Sequence, residues 1–233
     1  MLELRSESFA AGEPVGKALG KVGDARSNDL ILARLAEARP DDAVLSEESA
    51  DSAARLSADR VWIVDPLDGT REYGMEGRTD WAVHVALWER GRQITAAAVA
   101  QPSLDTVYVS GVATPSEAPE VETLRVLSSD SRPPAFLADF CAAVGGAPMP
   151  MGSAGAKAMA VLRGDADIYV HAGGQYEWDS AAPVGVVLAA GLHASRLDGA
   201  PLEYNSENPY LPDLLICRSD LAERCLGILA GLT

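Results

Sequence analysis

The sequence predicts a mixed α/β chain in two lobes, and three observations carry that expectation. Residues 27–38 hold apolar side chains at helical spacing. Between residues 61 and 110, short apolar runs show the two-residue alternation of strands. After a Pro- and Glu-rich stretch at residues 114–122, strand-like and helix-like segments alternate to the C-terminus. The expected division is a first lobe of residues 1–122, a helix plus an antiparallel sheet, and a second α/β lobe of residues 123–233.

In residues 27–38, Leu30, Ile31, Leu35 and Ala38 share one helical face. Ser27 is placed to cap its start, and Pro40 ends it. Val61, Trp62, Ile63 and Val64 run into Asp65-Pro66 and read as a buried strand. From Trp81 to Trp88, Trp81, Val83, Val85 and Leu87 face one way and Ala82, His84, Ala86 and Trp88 the other. Residues 93–101 and 105–110 continue the sheet, with Pro102, Ser103 and Leu104 as the turn between them. Beyond the Pro- and Glu-rich stretch, residues 124–128, 166–170 and 214–217 read as strands. Residues 134–144, 155–163, 179–190 and 220–229 read as helices.

Among the 233 residues are 34 acids and 19 Lys or Arg, a net charge of −15. That balance excludes nucleic-acid coating and a polybasic membrane surface, both of which depend on clustered cations. Residues 41–80 alone hold eleven acids and four bases. Hydrophobic content of 48% suits a globular chain. No apolar run approaches the ~18 residues of a membrane-spanning helix. The first residues lack the basic start and apolar run of a signal peptide, so a cytoplasmic location is expected. Cys141, Cys217 and Cys225 form no C-x-x-C pair and read as reduced, buried thiols. Lysine occurs only at positions 17, 21 and 157.

The acidic density has a chemical core. Asp65-Pro66-Leu67-Asp68-Gly69-Thr70 follows the strand at 61–64. Two carboxylates at the end of a buried strand are costly unless something neutralises them. Hard oxygen donors aimed at one point suit Mg²⁺, which also takes substrate phosphate and water. Gly69 permits close backbone approach, and a helix turn beginning at Thr70 would face an anion with free N–H groups. Asp-Pro and Asp-Gly are also ordinary turn formers. The spacing is wrong for an EF-hand. Ser46-Glu47-Glu48-Ser49 places a glutamate after the apolar stub Ala43-Val44-Leu45, where a solvated helix cap is the alternative. Glu177-Trp178-Asp179-Ser180 opens an apolar helical stretch, and Asp179 could be a helix cap there.

Taken in order, Glu47-Glu48, Asp65-Pro66-Leu67-Asp68-Gly69-Thr70 and Trp178-Asp179-Ser180-Ala181-Ala182-Pro183 resemble the inositol monophosphatase superfamily. The continuation Arg71-Glu72-Tyr73 resembles its CysQ-type branch, which hydrolyses 3'-phosphoadenosine 5'-phosphate, and the actinobacterial members in particular. The resemblance runs from about Gly23 to the C-terminus. It implies a layered α-β-α-β-α sandwich of the sugar-phosphatase type and a lithium-sensitive, Mg²⁺-dependent phosphomonoesterase. It assigns Glu47, Asp65 and the Leu67 carbonyl to a first Mg²⁺, and Asp65, Asp68 and Asp179 to a second. Glu47 would also face a third, weaker ion. Asp24 would pair with Thr70 to activate water, and the Gly69 and Thr70 amides would bind phosphate.

The substrate-side loop implied by the resemblance is Gly152-Ser153-Ala154-Gly155-Ala156-Lys157, which is not a P-loop. There Ser153 and Lys157 would hold ribose or a second phosphate, with a surface lysine as the alternative for Lys157. Arg71, Tyr176 and Trp178 are candidates for the adenine or phosphate pocket, and the two aromatics also suit core packing. His84, His171 and His193 read as structural. Family members carry a further N-terminal helix on the first lobe. Here Gly12, Pro14 and Gly16 interrupt the short stretch before Asp24, so a shortened start is expected.

The expected substrate is 3'-phosphoadenosine 5'-phosphate, cleaved to AMP and phosphate, which recycles a by-product of sulfate assimilation. Inositol monophosphatase or fructose 1,6-bisphosphatase activity is the alternative on the same site. A non-catalytic acidic module that binds divalent cations is the alternative of another class. A small phosphomonoester is the implied partner; a homodimer is allowed, while nucleic acid and membrane are not expected.

Overall fold

The alternation between Trp81 and Trp88 becomes β3 (Ala82–Glu89), the middle strand of a five-stranded sheet in the computed structural model, which describes residues 1–116 and 121–232. Ala82, His84, Ala86 and Trp88 are buried on one side of it, and Val83, Val85 and Leu87 are half-buried on the other. The other strands are β1 (Ala43–Ser46), β2 (Arg60–Asp68), β4 (Gln93–Gln101) and β5 (Thr106–Val109), in the order β1-β2-β3-β4-β5. β1 runs parallel to β2, and the later pairs are antiparallel, with short connections between β3 and β4 and between β4 and β5.

A second sheet holds β6 (Leu124–Ser129), β7 (Gly146–Met151), β8 (Ile168–Tyr176), β9 (His193–Ser195) and β10 (Tyr210–Cys217), in the order β7-β6-β8-β10-β9. The sequence reading missed β7 and β9. Pro148 and Pro150 disguise β7, and proline is tolerated there because the strand lies at the sheet edge. β9 has three residues, too few for a periodic signal. The expected boundary at 114–122 falls partly on residues 117–120, outside the described residues.

Five layers follow. Helices α5 (Ala154–Leu162) and α6 (Glu177–Ala189) lie between the sheets. Their Ala158–Leu162 and Ala181–Val187 segments bury against Val61, Ile63 and Val99 on one side and Leu127, Tyr169 and Leu214 on the other. Helices α4 (Leu137–Val144) and α7 (Ala222–Leu229) cover the far side of the second sheet, where Phe140, Cys141, Val144, Cys217, Cys225 and Leu229 form another core. All three cysteines are free and buried there. Helices α1 (Leu2–Ala11) and α2 (Gly16–Ala38), with the short α3 (Thr70–Tyr73), make the remaining layer beside β2.

Two expectations about the N-terminal region need correction. α2 begins at Gly16, so Ser27 is an interior, buried helix residue rather than a cap. The apolar face read at 30–38 is not the packed one: Leu30 is 61% exposed. The buried face is Leu19, Gly20, Gly23, Asp24, Ser27 and Asn28, which apart from Leu19 are small or polar residues that hydrophobic periodicity does not register. A Cβ at Gly20 would lie 2.6 Å from the Thr70 carbonyl oxygen, and one at Gly23 would lie 2.6 Å from the Tyr73 ring. Close backbone approach therefore positions α2. The breakers at 12–16 separate two helices, and α1 packs Met1, Leu4 and Phe9 against Leu19, Leu67, Tyr73 and Trp81. Arg5 fastens it through bonds to the carbonyls of Tyr73, Met75 and Arg78.

Candidate active site

The end of β2 sets the site. Asp65 pairs with His84 and Asp68 with Ala82, with a register shift between them. In a regular strand, residues three apart point to opposite faces. The shift turns both carboxylates inward, and the Leu67 amide bonds Asp65 Oδ1 at 3.0 Å. Asp179 joins them from the first turn of α6. Ligand atoms of Asp65, Asp68 and Asp179 lie within 4.8 Å of one another.

Each carboxylate has its own support. Asp68 Oδ2 accepts from the Ser153 hydroxyl at 2.5 Å and the Gly155 amide at 2.7 Å. His84 Nε2 lies 3.2 Å away, and His84 Nδ1 is 3.1 Å from the Trp178 carbonyl oxygen. His84, read from sequence as a packing residue, therefore touches Asp68 and the residue before Asp179. It fits because position 155 is glycine: a Cβ there would lie 2.0 Å from Nε2. Asp179 Oδ2 accepts from the Tyr176 amide at 2.7 Å, so it also caps α6. No helix follows Glu47, which stands in the turn after β1, so the helix-cap alternative for it is excluded.

The second ring is Asp24, Thr70 and Glu47. The Thr70 hydroxyl lies 3.0 Å from the Leu67 carbonyl oxygen and 3.4 Å from Asp24 Oδ2. Its single proton favours the shorter contact. Asp24 Oδ1 is buried without a partner. Glu47 lines the same cavity but is not one of the three clustered carboxylates.

Crowding these acids disfavours their charges. Burial and then the charge of Asp68 raise Asp65 well above the ordinary carboxylate range. The same two causes lift Asp179 to about 7. Asp24 reaches about 7 through burial and Glu48. Glu47, at the solvent-open mouth, is pushed up to about 8 by desolvation and by Asp179, Asp24 and Asp68. Asp68 goes the other way. Burial opposes its charge, but His84, Lys157 and the Ser153 hydroxyl hold it at about 2. Asp65 Oδ2 is buried and has no hydrogen-bond partner. Hard oxygen donors, three convergent carboxylates and an unpartnered buried oxygen fit a divalent metal ion.

The cavity, about 290 Å³, is lined away from the clustered carboxylates by the loop after β6, the start of α5 and part of β8. Ser153 caps α5, accepting from the Ala156 amide at 2.9 Å, with φ at +51°. Lys157 is not a surface lysine. It is buried, and its ammonium donates to the carbonyls of Met151, Gly152 and Ser153 at 3.3, 3.1 and 2.6 Å. Burial lowers it to about 8, with Asp68 and Glu72 opposing. Gly69, at φ +87°, and Thr70 line the cavity with Arg71, whose guanidinium is tied to Glu72 and Asp130. Tyr176 and Trp178 stack on each other, with centroids 4.8 Å apart, and are not among the lining residues. Glu72, Asp130, Ser131 and Arg132 do line it without having been singled out from sequence, and so does His171, which reads from sequence as structural. A polar run across the end of a strand, Ser128 to Arg132, was the available signal.

Two sheets with paired helices between them, and an acidic pocket at the end of one strand, define a phosphatase of the inositol monophosphatase class. The chain belongs to the inositol monophosphatase family, whose pattern matches residues 16–229. It is 56% identical over 219 residues to the 3'-phosphoadenosine 5'-phosphate phosphatase of Mycobacterium bovis, covering 91% of this chain and 82% of that protein. It is 30% identical over 201 residues to the 3'(2'),5'-bisphosphate nucleotidase CysQ of Escherichia coli, covering 81% of this chain and 80% of that one. Inositol monophosphatase II of Staphylococcus aureus superposes with a TM-score of 0.79 at 20% identity, covering 99% of this chain and 89% of that one. That likeness shows the layered α-β-α-β-α fold. Among the described residues, no helix is long and apolar enough to cross a membrane.

Proposed function

We propose that this chain is a Mg²⁺-dependent phosphomonoesterase converting 3'-phosphoadenosine 5'-phosphate to AMP and phosphate. The observation that carries the reading is the convergence of Asp65, Asp68 and Asp179 in a cavity also lined by Gly69 and Thr70. The substrate assignment is supported by the identity to relatives that bear that name. Glu47, Asp65 and the Leu67 carbonyl would hold one ion, and Asp65, Asp68 and Asp179 a second. Glu47 would face a third, more weakly held ion. Bound Mg²⁺ supplies the positive charge that lets an anionic ester be attacked and its leaving oxygen stabilised.

The chain's own residues do the rest. Asp24, poised near neutral pH, accepts a proton from water oriented with Thr70. The Gly69 and Thr70 amides orient the phosphate. Lys157 holds the carbonyls of residues 151–153, and this aims the Ser153 hydroxyl at Asp68. Water attacks phosphorus in line, the bond to the ribose 3'-oxygen breaks, that oxygen takes a proton from a solvent water, and Asp24 returns its proton to solvent.

Phosphate release with Mg²⁺ from 3'-phosphoadenosine 5'-phosphate, inositol 1-phosphate and fructose 1,6-bisphosphate tests the reading. The nucleotide is expected to give the highest kcat/KM, and lithium to inhibit. No release from any of the three by folded protein overturns the enzyme reading and leaves the cation-binding module. A higher kcat/KM for inositol 1-phosphate overturns the substrate.

A further inference from the structure

The cavity has an imbalance that metal ions alone do not address. Six carboxylates line it, Glu47, Asp65, Asp68, Glu72, Asp130 and Asp179, against three cations, Arg71, Arg132 and Lys157. A nucleotide with two phosphates brings a second anion that sits away from the reacting centre, where it needs its own positive partner.

Two of the three cations are already committed. Arg71 is held between Glu72 and Asp130. Lys157 spends its three protons on main-chain carbonyls. The Arg132 guanidinium makes no hydrogen bond and no ion pair with any described residue, although Asp130 lies two positions away. Its backbone is fixed all the same. The Arg132 amide donates to Ser129 Oγ at 3.1 Å, and Pro133 and Pro134 follow, which confines Arg132 to extended geometry. The side chain reaches β8. A Cβ at Gly174 would lie 2.4 Å from Arg132 Nη1, so the guanidinium rests against strand backbone that carries no side chain.

We propose that Arg132 clamps the second, non-reacting phosphate of the substrate, the 5'-phosphate when the ester cleaved is at the 3' position. The inference rests on the nucleotide reading above. A planar guanidinium with free N–H groups matches phosphate oxygens two at a time, which a lysine does not. Arg132 thereby separates bisphosphorylated nucleotides from substrates with one phosphate. It is a specificity residue and takes no part in bond cleavage.

The test compares 3'-phosphoadenosine 5'-phosphate with adenosine 3'-monophosphate, which lacks only the second phosphate. Wild type, Arg132→Ala and Arg132→Lys are assayed with Mg²⁺. Arg132→Ala is expected to lose about 10- to 100-fold in kcat/KM on the bisphosphate, mostly through KM, with adenosine 3'-monophosphate changed less than about twofold. Arg132→Lys is expected to recover part of the loss. Retained turnover of the monophosphate shows that the variant is folded. Equal losses on both substrates, or no loss on either, overturn the inference and leave the nucleotide reading standing. Failure of the wild type to cleave the bisphosphate removes the reading and the inference with it.

Discussion

Asp68 draws on three neighbours from two parts of the fold: Ser153 and Gly155 at the start of α5, and His84 in β3. They keep it ionised in a place where burial favours the neutral acid. Asp68→Asn removes the charge and turns an N–H group toward donors, so kcat is expected to fall at least about 100-fold. His84 is a positioning residue, and its variants separate its two contacts. His84→Gln keeps a donor within reach of Asp68, whereas His84→Asn keeps only the contact to Trp178. The Mg²⁺ concentration for half-activation is expected to rise about 10-fold or more for His84→Asn and less for His84→Gln. Titrating Mg²⁺ against initial rate reads both. Equal half-activation in all forms would remove His84 from the site. Asp65, Asp68 and Asp179 were legible in the sequence because their motifs are local. His84 was not, because its partners come from residues 68 and 178 and meet it only after the sheets close on α5.

Whole elements show the same division. β2, β3 and β4 announce themselves by apolar runs and alternation, and the structure places them within a few residues of the expectation. The packed face of α2 has no such signal, since Gly20, Gly23 and Asp24 do its work by closeness and charge. Two glycine substitutions test this argument with opposite signs. Gly20→Ala gains helix propensity of up to about 1 kcal/mol but drives a methyl into the Thr70 backbone, which cannot swing aside. A net loss of about 1–3 kcal/mol is expected, with lower activity because Thr70 must shift. Gly227 lies within α7, where an added Cβ meets nothing within 4 Å. Gly227→Ala is therefore expected to stabilise by about 0.5–1 kcal/mol with unchanged turnover. Urea unfolding midpoints measure both. Stabilisation by Gly20→Ala would refute close packing as what positions α2.

Across the whole molecule, the net charge of −15 has two parts that behave differently with pH. Exposed acids such as Asp41 and Asp59 repel through solvent and are screened by salt. Asp24, Asp65 and Asp179 are enclosed and are not. Their folded pKa values lie above the unfolded ones, so the metal-free fold holds more protons than the unfolded chain over that range. The stability that Asp24 and Asp179 contribute is complete near pH 4 and is lost as pH rises through about 7, and that of Asp65 is lost at a pH above the ordinary carboxylate range. Other groups act elsewhere. Burial lowers His171 to about 4, so its contribution is present above its ordinary value of 6.5 and is lost as pH falls toward 4. Asp80, Asp167 and Asp213, held low by arginines, lose theirs only at still lower pH. Over the interval from about pH 6.5 to about pH 8, Asp24, Asp179 and Glu47 give up their protons, while Lys157, lowered to about 8, opposes the resulting loss at the upper end. With EDTA, the unfolding free energy is expected to drop by about 2 kcal/mol across it. Raising NaCl should leave most of that drop in place, because buried charges are poorly screened. Mg²⁺ should stabilise more at the upper pH than at the lower, since it replaces the protons the acids would otherwise keep. Asp179→Asn should flatten the metal-free slope. A metal-free stability that is level across the interval, or a Mg²⁺ effect of equal size at both ends, would show that the carboxylates are not coupled as the geometry requires.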